Sequence, residues 1–339
     1  MDLRNIMVRS PNWIGDFVLS IPALKGLESL FPHAKLTVVA HRRVKDIAEM
    51  VEGVDRVVVF DKEGADRSIK NLIRFSRGIS EEPIDLSVIF PLSFSSALMG
   101  YFSGARRRLG YSTKMRGFLL TDKIRLPLEY RERHLSQTYT NLVAKLGVSD
   151  ELSTPELNVP EVCEKADRIM ESLGYGENRK VVGMAPHATY GPAKRWPMEN
   201  YSSLAKNLLK RYNCSIVLFG SADDSTLNLE DTTLPDGVVD LCGKLTLTEA
   251  AYLLKRCVCL VSNDTGIAHV AAGVGTPVVS IFGSTSPEWT SPIGNKNVVV
   301  YEKVECSPCF DRVCRFGHYG CLQNVGTDVV LDAVEEVLR

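Results

Sequence analysis

The chain has 339 residues, 45% of them hydrophobic and 24% charged, which is enough to bury substantial cores and suits two domains better than one. No apolar run reaches the ~18 residues that suggest a spanning helix, and residues 1–9 lack a charged region followed by a long apolar stretch, so a cytosolic chain is expected. Nine cysteines, an odd number with Cys257 and Cys259 inside an apolar run, fit reduced and buried thiols.

The net charge of −1 divides unevenly. Residues 1–160 carry 23 Lys and Arg against 19 Asp and Glu, whereas residues 161–339 carry 17 against 22. The basic excess sits in 104–133, where Arg106, Arg107, Arg108, Lys114, Arg116, Lys123, Arg125, Arg131 and Arg133 face only Asp122, Glu129 and Glu132. Such a stretch either attracts the phosphates of a headgroup, a nucleic acid or a small anion, or is a solvated face.

Short apolar runs alternate with helix-length segments along the whole chain. NIMVRS, KLTVVAH, DRVVVF and IDLSVIF fall in the first half; KVVGMAP, SIVLFG, VCLVSND and PVVSIFG fall in the second. Near-continuous apolar strands between amphipathic segments predict α/β units with parallel sheets covered on both faces. The segment 147–161, GVSDELSTPELNVPE, is aperiodic and rich in Ser, Thr, Pro and acid, so the boundary is placed there, with domains at 1–155 and 156–339. In such sheets ligands bind at the carboxyl ends of the strands, so the strand-end loops carry the chemistry.

Dinucleotide and P-loop readings fail first. The chain has neither G-x-G-x-x-G after its first strand nor G-x-x-x-x-G-K-[ST]; the nearest approach, GVGTP at 273–277, leads into a strand. The first strand is followed instead by RSPNWIGDFVLS. Ser10, Asn12, Trp13 and Gly15 lie in the turn, and a helix is expected to open at Asp16. Asp16 is then either an N-cap favoured by the macrodipole or a carboxylate presented at the ligand-facing edge.

Two loops in the second half are richer. PHATYGPAKRWPMENY places Thr189, Tyr190, Lys194 and Arg195 on one strand-end loop stiffened by Pro192 and Pro197, and two cations there suit a diphosphate. Trp196 reads as a packing anchor. SNDTGIAHVAAG sets Asp264, Thr265 and Gly266 at a helix opening whose first N–H groups form an anion site, with His269 further along. Asp264 is either a cap or an acceptor of sugar hydroxyl hydrogen bonds.

RSPNWIGD, ATYGPAKRWP and NDTGIAHVAA, in this order, resemble the signature blocks of the ADP-heptose:lipopolysaccharide heptosyltransferase family, glycosyltransferase family 9, most closely its heptosyltransferase II branch. The resemblance covers nearly the whole chain. It implies the GT-B fold of two facing Rossmann-like domains, the first binding the acceptor heptosyl-Kdo2-lipid A and the second ADP-heptose. It implies a general base at Asp16, a diphosphate-binding lysine at Lys194, and a donor-sugar and phosphate loop at Asp264 and Gly266. Asp223 and Asp224 are candidate ribose contacts, and Lys244, Leu245 and Leu247 candidate adenine-pocket walls. Ser10, Asn12, Trp13, Gly15, Arg106, Arg107, Arg108 and Lys114 are candidate acceptor contacts. His187 departs from the family motif, in which Gly is expected.

No D-x-D triplet is present, so metal-independent transfer with no cofactor is expected, Lys194 and a helix terminus taking the place of Mg²⁺. A peripheral contact with the inner face of the cytoplasmic membrane is expected, and no nucleic-acid partner. Cys306, Cys309, Cys314 and Cys321 open with C-x2-C, which allows a tetrahedral zinc, but the second half lacks zinc-ribbon spacing and packed, reduced thiols are favoured. The alternatives are a family member using another nucleotide sugar or acceptor, and a non-catalytic nucleotide-sugar binding protein.

Overall fold

The computed structural model describes residues 3–339 apart from 62–63, 65, 67, 114, 150, 152, 176–178 and 222–233. The chain divides into two compact units, Met1–Leu157 and Asn158–Arg339.

In the first unit, strands alternate with helices almost without exception. The order is β1 (Asn5–Arg9), α1 (Ile14–Leu30), β2 (Lys35–His41), α2 (Lys45–Glu49), β3 (Arg56–Phe60), α3 (Ile69–Arg77), β4 (Leu86–Ile89), α4 (Phe94–Phe102), β5 (Arg107–Tyr111), β6 (Asp122–Ile124) and α5 (Leu135–Ala144). The six strands form one parallel sheet in the order β3-β2-β1-β4-β5-β6. Val8 is in register with Val38 on one side and Val88 on the other, and all three are buried. The central strands are apolar through most of their length because helices cover both faces, whereas β5 and the edge strand β6 carry charged residues at their amino ends.

The second unit repeats the scheme. It runs α6 (Glu164–Ser172), β7 (Lys180–Ala185), α7 (Met198–Arg211), β8 (Cys214–Leu218), β9 (Val238–Asp240), α8 (Leu247–Leu254), β10 (Cys259–Asn263), α9 (Gly266–Gly273), β11 (Val278–Phe282), α10 (Pro287–Thr290), β12 (Asn297–Tyr301), α11 (Gly320–Gln323) and α12 (Thr327–Leu338). Its sheet is also parallel, ordered β12-β11-β10-β7-β8-β9. Leu204 and Leu208 of α7 and Val330 and Val334 of α12 meet Val182, Ile216, Val261 and Val279 of the strands in one buried cluster.

Counted from its own first strand, each sheet has the order 3-2-1-4-5-6. Strand order therefore reverses beside β1 in the first unit and beside β7 in the second. A crevice opens at the carboxyl ends of each reversal, between β1 and β4 and between β7 and β10, because successive crossover helices lie on opposite faces there. The described residues include no helix long and apolar enough to cross a membrane.

Candidate active site

At the reversal in the first unit, β1 delivers the loop 10–13. Helix α1 starts at Ile14, two residues before the expected position, with Trp13 at the N-cap and no side-chain capping bond. Asp16 is therefore a first-turn residue and not the cap, which corrects the capping alternative: the turn at Pro11 and Asn12 is complete by Trp13, and Gly15 lies inside the helix. The carboxylate sits where the macrodipole favours negative charge. Burial, and then the charge of Asp16, push the phenol of Tyr139 well above its ordinary range, which puts Asp16 close to α5. The residue is half-buried.

Arg9, which the sequence did not single out, organises this loop. Its guanidinium donates to the carbonyls of Ser10 and Val39 and to Asn12 Oδ1, and lies 5.6 Å from the ring centre of Phe60. Burial lowers its pKa to about 10. Ser10 and Asn12 are thus used inside the protein. The Ser10 hydroxyl is buried and donates to Val39 O at 3.3 Å, and the Asn12 side chain is engaged by Arg9. Trp13 stays exposed with the Arg43 guanidinium 5.5 Å from its ring, and Gly15 is half-buried.

The structure corrects the grouping of Arg106, Arg107 and Arg108 with Asp16. Arg107 opens β5 and is in register with Leu86, the first residue of β4, so the three start at the amino edge of the sheet, opposite the crevice. Arg106 pairs with Asp85 at 3.2 Å, Arg107 grips Asp122 at 2.6 and 3.3 Å, and Arg108 donates to Leu119 O and Ala105 O at 2.7 Å. Their charges are spent on the fold. Lys114 lies outside the described residues. A cavity of about 200 Å³ lined by Asn5, Lys35, Arg56 and Glu82 also opens at the amino edge, where no βα loop reaches, and it takes no part in the site.

In the second unit the two loops flanking the reversal meet. Lys194 Nζ forms a short ion pair with Asp264 Oδ2, and Thr285 donates its hydroxyl to the same oxygen at 2.6 Å. Asp264 is buried and Lys194 nearly so. The ammonium also lies 4.8 Å from the ring centre of Tyr190. Thr265, not Asp264, is the N-cap of α9 and makes no side-chain capping bond, so Gly266 begins the helix without a cap from that residue. A carboxylate, an ammonium and a helix N-terminus thus converge at the carboxyl ends of β7 and β10. Opposite charges set beside aligned N–H groups can hold a phosphate on one side and hydroxyls on the other.

The loop bearing Lys194 is held from several sides. Gly191 has φ +149°, and a Cβ there would stand 2.3 Å from Arg312 O, so only glycine fits. Ala193 N donates to Arg312 O at 3.1 Å, the Tyr190 hydroxyl donates to Phe310 O, and Phe310 N donates to Ser284 O at 2.7 Å. Trp196 is buried, and its indole donates to Val325 O at 2.9 Å, the anchoring role expected of it. Asn263 bridges both loops, accepting from Trp196 N at 3.0 Å and donating to Pro186 O at 2.7 Å. Arg195 turns back to Ala188 O at 3.1 and 3.3 Å, so its cation braces the loop. Thr189 is exposed, His187 half-buried, and His269 buried within α9.

Sequence reading missed Thr285, Phe310 and Arg312. The first carried a signal, since GSTSP directly follows an apolar strand at its carboxyl end; the other two sit in an irregular segment whose place is set by packing alone. Lys244 donates to Asp240 O at 2.8 Å, and Leu245 and Leu247 are half-buried at the start of α8. These follow β9, at the same sheet edge as Lys194 but two strands from β7. Asp223 and Asp224 lie outside the described residues. All nine cysteines are free, and among the described residues no three His, Cys, Asp or Glu are arranged to hold a metal ion. Backbone N–H groups, first that of Tyr319, lower the pKa of Cys314, whereas burial and then neighbouring thiols push Cys321 up to about 11.

Two Rossmann-like units, one with a carboxylate and the other with an ion pair and a helix start at its strand reversal, have the architecture of the GT-B class of glycosyltransferases. The glycosyltransferase family 9 (heptosyltransferase) profile matches residues 72–320, and the chain belongs to that family. It is 29% identical to lipopolysaccharide heptosyltransferase 2 of Escherichia coli K12 over 87% of both chains, and 30% identical to the Salmonella typhimurium LT2 protein of the same name over 87% of both. The solved heptosyltransferase II of E. coli superposes with a TM-score of 0.81 at 26% identity, covering 98% of each chain. A family 9 structure from Veillonella parvula gives 0.85 at 23% identity, covering 100% of this chain and 98% of that one, a likeness of fold.

Proposed function

We propose that this enzyme transfers heptose from ADP-L-glycero-D-manno-heptose to the first heptose of the lipopolysaccharide inner core, on heptosyl-Kdo2-lipid A, with inversion and without a metal. It works in the cytoplasm, peripherally at the inner face of the membrane. The observation that carries this is the Lys194–Asp264–Thr285 cluster beside the start of α9, in a family 9 chain that aligns with 87% of a relative named heptosyltransferase 2.

In this reading the ADP diphosphate lies against Lys194 and the N–H groups of α9. Asp264 keeps the ammonium in place and accepts donor hydroxyls with its remaining lone pairs. The acceptor hydroxyl attacks the anomeric carbon from the face opposite ADP. Its proton passes to the Asp16 carboxylate, while the bond from the anomeric carbon to the phosphate oxygen breaks and its electron pair leaves with ADP. No glycosyl-enzyme forms, so one displacement inverts the anomeric centre. Lys194 and the helix N-terminus stabilise charge growing on the leaving group, the work a divalent metal ion does elsewhere.

Incubation with ADP-heptose and heptosyl-Kdo2-lipid A, with mass detection of one added heptose, tests the proposal. One heptose added in the presence of EDTA, and none transferred from ADP-glucose, is the expected result. Equal use of ADP-glucose would move the reading to another nucleotide sugar, and tight ADP-heptose binding without turnover on any lipid acceptor would make the protein a binder.

A further inference from the structure

At the carboxyl edge of the first sheet, four neighbouring strands each hand over to an exposed large apolar side chain. Trp13 follows β1, Phe94 follows β4, Met115 and Phe118 follow β5, and Leu128 follows β6. Phe94 is 41% exposed, Phe118 74%, Leu128 85% and Met115 90%. Single exposed apolar residues are ordinary, but a row of them along one edge is not.

The row is physically continuous. The rings of Phe94 and Phe118 touch, with centroids 6.1 Å apart. Buried Arg116 ties the exits of β4 and β5 together, donating to Tyr111 O at 2.8 Å, Ser93 O at 3.0 Å and Pro91 O. Ser112 N donates to Ile124 O at 2.7 Å, which sets the exit of β5 against that of β6. Met115 is held at φ +58°, a left-handed conformation rare for a side-chain-bearing residue, and it leaves the thioether almost wholly in water. Strain of this kind persists where surroundings impose it and is concentrated at functional surfaces.

Among the described residues of this flank, exposed cations outnumber exposed acids, with Lys123, Arg125, Arg131 and Arg133 against Glu129 and Glu132. Arg125 and Arg133 are exposed without an ion-pair partner among the described residues. Exposed aromatic and aliphatic side chains rimmed by cations match an anionic bilayer surface, in which the apolar groups enter the headgroup boundary and the cations meet lipid phosphates. Charged protein surfaces offer no reason for the apolar row, and a nucleic acid none for Leu128 and Met115.

We infer that this edge of the first unit, centred on Phe94, Met115, Phe118 and Leu128 with Arg125 and Arg133, docks onto an anionic lipid membrane. The inference rests on the proposed lipid-anchored acceptor for its purpose. Asp16 leaves the same sheet edge from β1, so docking presents the base toward the layer from which an amphipathic acceptor emerges.

Flotation of the full-length protein with phosphatidylglycerol–phosphatidylcholine vesicles, against phosphatidylcholine alone, tests this without donor or acceptor. Wild type binds the anionic vesicles and is released by salt. The double variant Phe118→Ser with Leu128→Ser loses at least about tenfold in vesicle affinity, and Arg125→Glu with Arg133→Glu loses about as much, chiefly at low salt. Both keep wild-type melting curves, ADP affinity and turnover on a deacylated, water-soluble acceptor, but slow on acceptor presented in vesicles. Failure of wild type to float, or flotation unaltered in both variants, overturns the docking surface. A wild type that floats but transfers no heptose leaves it standing and removes only the assigned reaction.

Discussion

The two sheets have the same strand order but put opposite chemistry at the reversal. In the first unit a cation, Arg9, is buried and consumed by its own loop, leaving the Asp16 carboxylate as the group at the helix start. In the second unit a carboxylate, Asp264, is buried against Lys194 and Thr285, and the group set beside the helix start is an ammonium. Topology decides where a site forms, whereas the residues of two loops decide which charge it presents. In the proposed reaction these two ends are the base and the leaving-group site, carried by two units of the same strand order.

The sharpest way to break this comparison is at Asp16. Asp16→Asn removes the proposed proton acceptor but keeps shape, and at the first turn of α1 it gives up a charge–dipole contribution of about 0.3–1 kcal/mol. Turnover is expected to fall ~10²–10⁴-fold, with donor affinity and melting temperature near wild type. Steady-state kinetics with saturating acceptor and calorimetric titration of ADP decide it, and a variant retaining most of its kcat removes Asp16 as base.

A smaller effect is expected in the second unit. Lys194→Ala leaves the Asp264 carboxylate buried with the Thr285 hydrogen bond but without its counter-charge, so stability drops and ADP affinity falls by roughly ten- to a hundredfold, the worth of a charge-assisted contact. Thermal melting with and without ADP separates the two contributions: if the variant melts lower but gains as much from ADP as wild type, Lys194 supports the fold and does not touch the diphosphate.

The smallest effect belongs to the arginines at the amino edge. Arg107→Ala breaks the pair with Asp122, a partly exposed contact of at most about 1 kcal/mol, and acceptor KM is expected to stay within error. A several-fold rise in acceptor KM would restore these residues to the acceptor site.

Much of this was legible along the chain. Near-continuous apolar runs alternating with helical periods specify parallel α/β units, because a strand buried on both faces has no polar side to alternate with. The loops holding Lys194 and Asp264 were readable from position, since residues just past such strands lie at the ligand edge wherever the strand ends. Asp16 was found the same way. What the local pattern left open was the distance between loops. That Lys194 and Asp264 form one ion pair, that Thr285 joins them, and that Arg312 O forbids any side chain at Gly191 depend on β10 and β11 stacking beside β7 across 70 or more residues of chain. The basic run 106–108 shows the converse. Its composition signals an anion site, yet only register with β4 reveals that it opens at the amino edge, facing Asp85 and Asp122. Composition and period report what a segment buries, which is a property of its own residues; which end of a strand a charge occupies, and what waits across from it, is set by pairing between distant segments and exists only once the sheet has formed.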